Sequence, residues 1–82
     1  MPSAKDILFD VISGCRDSNI RFADICKLLE ELGFSCRVKG DHFIWYRDGV
    51  EEIINIQPDG SKAKPYQVKQ IRQLITKYKM EV

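Results

Sequence analysis

The sequence is poor in the residues on which several common chemistries depend. Its 82 residues include three cysteines, one histidine, one tryptophan and five glycines. Cys15, Cys26 and Cys36 are odd in number, stand eleven and ten residues apart, and form no Cys-x-x-Cys pair. That spacing suits neither a disulfide framework nor a zinc site, and His42 alone cannot complete a metal shell. The cysteines read as small apolar side chains in a reducing compartment. No apolar run approaches the ~18–20 residues of a membrane span. The start, Met1-Pro2-Ser3-Ala4-Lys5-Asp6, lacks the cationic leader and apolar core of a secretory signal, so a cytoplasmic protein is expected. Gly60-Ser61-Lys62 lacks the upstream glycine of a P-loop. No Ser-His-Asp or Cys-His-Asn set can be assigned, which leaves acyl transfer without support. Glu51 and Glu52 are neighbours on an expected strand, so they point to opposite faces and cannot act as a carboxylate pair.

Net charge is also scarce, at +1, but its distribution is uneven. Residues 1–60 hold seven Lys/Arg against eleven Asp/Glu, whereas residues 61–82 hold six cations against Glu81 alone. Such asymmetry points to an anionic partner. The hydrophobic share of 44% and charged share of 30% are those of a folded globular chain. At this length one domain forms, and it buries only about 60–65% of the surface of the unfolded chain. A deep cleft between domains is excluded.

Periodicity places the elements. Ser3-x-x-Asp6 approximates a capping box, Ile7, Leu8, Val11 and Ile12 follow at helical spacing, and Gly14 stops the helix. A second helix carries Phe22, Ile25, Cys26, Leu29 and Leu32 on one face and ends at Gly33, with Arg21 a poor N-cap. Phe34, Cys36 and Val38 then alternate with polar residues, the pattern of a half-buried strand. After a Gly40-Asp41 turn, His42 to Tyr46 reads as a strand apolar on both faces. Asp48-Gly49 is a hairpin signal, and Ile53, Ile54 and Ile56 mark a third strand ended by Pro58-Asp59-Gly60. Pro65 opens a last helix with Val68, Ile71, Leu74, Ile75 and Tyr78 inward. The expected fold is α+β in the order α-α-β-β-β-α, a three-stranded antiparallel sheet with helices packed on one face. Without its first helix this is the order of double-stranded-RNA-binding domains. Residues 1–18 form an extra N-terminal helix and connector, and residues 19–82 the α-β-β-β-α unit.

His42 is the candidate for chemistry. Gly40 lets a ligand approach the backbone closely, and Arg37 and Lys39 supply positive charge beside the ring. Alternation puts His42, Ile44 and Tyr46 on one face and Phe43 and Trp45 on the other. The set facing away from the helices either stacks on bases or forms a partner interface.

The run Lys39-Gly40-Asp41-His42-Phe43-Ile44-Trp45 resembles the Gly-Ser-His-His-hydrophobic-aromatic motif of HicA (YcfA-like) toxins. Glu52 to Gln57, followed by Gly60 to Val68, is similar to the second signature of one branch of that family. Asn19-Ile20-Arg21-Phe22 and Leu28 to Phe34 match its opening helix, so the likeness spans roughly residues 19–80. Two positions depart from the motif. Asp41 stands where a small Ser, Thr or Gly is usual, and Phe43 stands where the second histidine does. The resemblance implies an mRNA interferase, the toxin half of a toxin–antitoxin pair, with His42 at the family's catalytic position and a HicB-like antitoxin as partner. On that reading His42 is the general base of a metal-independent, cofactor-free endoribonuclease acting on mRNA. Arg37, Lys39, Lys62 and Lys64 hold backbone phosphates beside Gly40, and Lys69 and Arg72 extend the track. Tyr66 either contacts RNA or packs at the helix start. The alternatives are a non-catalytic RNA-binding module and a protein-interaction module on the same fold.

Overall fold

The computed structural model describes residues 2–82. Ser3 opens α1 (Ala4–Ser13) with the expected capping box: its hydroxyl accepts from the Asp6 N–H at 3.2 Å, and the Asp6 carboxylate accepts from the Ser3 N–H at 3.2 Å. Ile7 and Val11 are buried against α2 (Phe22–Glu31) and α3 (Pro65–Tyr78). Ile12, placed by spacing in the same stripe, is exposed, because α1 is covered by its neighbours on one side only. Arg21 caps α2 with no side-chain bond. Backbone from elsewhere compensates: the Phe22 N–H donates to the Ser61 carbonyl and the Ala63 N–H to the Ile20 carbonyl, each at 2.9 Å.

β1 (Ser35–Lys39), β2 (His42–Arg47) and β3 (Val50–Ile56) form the expected antiparallel meander. Lys39 pairs with His42, Arg37 with Ile44, and Ile44 with Asn55. Residues directly opposite across a ladder share a face. Arg37, Lys39, His42, Ile44 and Asn55 therefore lie on one side of the sheet. Trp45, Ile54 and Ile56 turn to the other side and enter the core, and Phe43 meets Phe22 edge-on with centroids 4.9 Å apart. The alternation in β1 predicts a half-buried strand, but every residue from Ser35 to Lys39 is exposed. β1 is an edge strand that pairs only with β2, and its side chains stay exposed on both faces.

The segment after β3, read from sequence as a turn, holds a further ribbon of β4 (Pro58–Asp59) and β5 (Lys62–Ala63). Lys62 also bridges to Arg21, which ties the ribbon to the start of α2. α3 opens with Pro65 in its first turn and buries Val68, Ile71, Leu74 and Ile75. The helices thus cover one sheet face, in the order α-α-β-β-β-α expected of a double-stranded-RNA-binding-like fold.

Candidate active site

The site grows from the β1–β2 hairpin. Gly40 has φ 64° and is the first of two turn residues, the position at which a type II′ turn requires glycine. This tight turn sets Lys39 across from His42 and puts the Asp41 carboxylate beside the ring. The imidazole is 46% exposed on the open face of the sheet. Lys39, Gly40, Asp41, His42, Ile44 and Asn55 line a shallow open depression around it.

Both ring nitrogens have partners from β3 and its exit. Nδ1 lies 3.0 Å from Asn55 Oδ1, and Nε2 lies 3.3 Å from Gln57 Nε2. The same Gln57 amide donates to Asp41 Oδ2 at 3.1 Å, while Asp41 Oδ1 stands 3.8 Å from the ring Nε2. Gln67, 4% exposed in the first turn of α3, anchors this arrangement. With its amide oriented to satisfy both groups, it donates to the Gln57 carbonyl at 3.2 Å and accepts from the Gln57 N–H at 3.3 Å. Asn55 and Gln57 were not singled out by sequence reasoning. Their signal was two amides alternating with isoleucines on one strand and its exit, facing the side where an aliphatic would otherwise sit.

The candidate phosphate-binding residues separate into groups. Arg37 and Lys39 share the His42 face. Lys62, on β5, is exposed, and Lys64, at the N-cap of α3, is half-buried; both follow the Gly60-Ser61 turn. Lys69 and Arg72 belong to the flank where α3 meets α1. The Arg72 guanidinium donates to both Asp17 oxygens, at 2.8 and 3.1 Å, and to the Val11 carbonyl at 3.0 Å. Its hydrogen bonds hold the Asp17 carboxyl below its ordinary range, with Lys69 adding to the effect. Arg72 is thus committed to fastening α1. Tyr66 is 64% exposed, so it does not pack at the helix start.

On the opposite side, Glu52 accepts from Lys77 Nζ at 2.7 Å and from the Tyr78 hydroxyl at 2.6 Å. Those bonds, the Lys77 one first, pull its carboxyl down to about 2. Glu51 is exposed and makes no part of this contact through its carboxylate. Burial pushes the Cys26 thiol up to about 11, and all three cysteines are free. Among the described residues no group of three or more His, Cys, Asp or Glu side chains is placed to hold a metal ion, and no helix is long and apolar enough to cross a membrane.

No curated protein and no solved structure matches the chain. The family described as HicA toxin of bacterial toxin-antitoxin matches residues 22–76, from the first residue of α2 almost to the end of α3. That span is about two thirds of the sequence, takes in the whole sheet and the His42 hairpin, and leaves α1 outside. A match of that extent, on a fold with the expected element order, makes this chain a member of the HicA toxin family, whose members work opposite an antitoxin.

Proposed function

We propose that the protein is an endoribonuclease acting on mRNA, the toxin of a pair whose antitoxin is HicB-like, with His42 as its general base. The observation that carries this reading is the state of the ring. The single histidine stands on the open sheet face with Lys39 across from it and a shallow depression around it. In the reaction, His42 Nε2 takes the proton of a ribose 2′-hydroxyl, and the 2′ oxygen attacks the adjacent phosphorus. The bond from phosphorus to the 5′ oxygen breaks, that oxygen takes a proton from solvent, and the upstream fragment is left with a 2′,3′-cyclic phosphate. Arg37 and Lys39 lie on the same face and neutralise phosphate charge there, and Lys62 and Lys64 hold the strand further along. The mechanism requires no metal and no cofactor. Positioned acid–base catalysis contributes roughly 10²–10⁴-fold, so an enzyme with one histidine is slow.

The Asp41 carboxylate beside the ring favours a second reading, in which the same surface binds RNA without cutting it. One experiment separates them. His42→Ala should abolish RNA cleavage and growth arrest while preserving the circular dichroism spectrum, and DNA, lacking the 2′-hydroxyl, should remain intact with the wild type. Normal cleavage by the alanine variant ends the general-base reading. Salt-sensitive binding by a wild type that leaves RNA whole establishes the second.

A further inference from the structure

We propose that Asn55 and Gln57 are positioning residues that select which nitrogen of His42 is free to take a proton. The inference rests on the general-base reading above, but its central observable does not require cleavage.

A side-chain amide oxygen only accepts and an amide nitrogen only donates. Asn55 Oδ1 at 3.0 Å therefore requires a hydrogen on Nδ1, and Gln57 Nε2 at 3.3 Å requires a lone pair on the ring Nε2. Both partners demand the same neutral tautomer, Nδ1–H with Nε2 unprotonated. An imidazole side chain free in water prefers the opposite form, so the protein must impose this one.

Reversing the amides would select the other tautomer, and Asp41 opposes that. Its Oδ2 receives the Gln57 amide at 3.1 Å, and a turned amide would set oxygen against carboxylate. Asp41 thus orients Gln57, and Gln57 with Asn55 orients the ring. Gln57 is in turn pinned through its own backbone by the buried Gln67, so the anchor of the chain lies in α3. The contact from Gln57 to the ring is long for a hydrogen bond. A 2′-hydroxyl arriving at Nε2 displaces it at little cost and finds the lone pair already directed outward.

The protein has one histidine, so its imidazole nitrogens can be observed without assignment. Ring ¹⁵N chemical shifts, recorded on the isolated protein at a pH where the ring is neutral, should show Nδ1 protonated and Nε2 bare in the wild type. Asn55→Ala and Gln57→Ala should each move the population toward Nε2–H. Asn55→Asp, which still offers an acceptor, should keep the Nδ1–H form. On RNA, Asn55→Ala should lower kcat severalfold with little change in KM, and Asn55→Asp should recover most of that loss. A wild-type ring in the Nε2–H form, or a tautomer indifferent to Asn55→Ala, overturns the proposal. If the tautomer responds as described while wild-type protein leaves RNA intact, the positioning stands and the general-base reading falls. If RNA is cut by a ring that ignores both amides, the reverse holds.

Discussion

His42 owes its surroundings to residues thirteen and fifteen positions away on the chain, and to a carboxylate next door. Asp41 has two opposed effects there. Its acceptor oxygen steadies the Gln57 amide, while its charge repels any phosphate brought to the ring. At an exposed site a unit charge some 4 Å away is worth about 1 kcal/mol, the water-like end of the Coulomb range. Asp41→Asn keeps an acceptor for Gln57 and removes the charge. It should tighten RNA binding about fivefold without shifting the ring tautomer. Filter binding at fixed salt measures the first and ring ¹⁵N shifts the second, and an unchanged Kd means the carboxylate does not face the bound strand. The cysteines take no part at this scale: the Cys26 thiol is raised by burial and Cys36, also raised, lies outside the depression.

At the scale of elements, the helices were legible because their determinants are local. The Ser3–Asp6 box, Gly14, Gly33 and Pro65 act within one or two turns, and the apolar stripes repeat at helical period. The β4–β5 ribbon was not legible. Each strand has two residues, and what secures it is backbone pairing to Ile20, Arg21 and Phe22, some forty positions earlier. The same contact explains how α2 begins without a capping side chain. The exposed β1 shows the converse case: alternation reports which faces are apolar, and only the helices decide which residues are covered.

Glu52 carries an element-scale consequence in its link from β3 to α3. Its folded pKa of about 2 is below its ordinary 4.5, so the link contributes fully above that ordinary value and is lost as pH falls through about 2. Acid unfolding followed by circular dichroism between pH 5 and 2 should therefore be shallower in Glu52→Gln than in the wild type. Parallel curves would show that Lys77 and Tyr78 contribute nothing to that transition.

At the scale of the whole molecule, size and charge act together. The molecule measures only 30 × 28 × 22 Å, and His42 lies on an exposed face that a partner protein can cover. A net charge of +1 conceals a local concentration of cations. Among the described residues Arg37, Lys39, Lys62 and Lys64 form no ion pair with a carboxylate, whereas Arg72 and Lys77 are neutralised by Asp17 and Glu52. If those four each meet one phosphate of a single strand, log K for RNA should fall with log salt at a slope of about −3. A slope near zero would remove the basic face from the account.

The amino-acid sequence by itself determined the helices, the meander and the candidacy of His42, because capping, periodicity and turn chemistry act over a few residues. The family likeness carried by the Lys39–Trp45 and Glu52–Val68 stretches was legible in the same way, and the match over residues 22–76 agrees with it. Tertiary structure alone decided which cations are free and which are spent on packing. It alone brought Asn55 and Gln57 to the ring and Gln67 to the Gln57 backbone. Those outcomes depend on side chains meeting across strands and helices, where no local period records the partner. Arg72 and Lys39 look alike on the chain; one fastens α1 to α3, and the other faces the site.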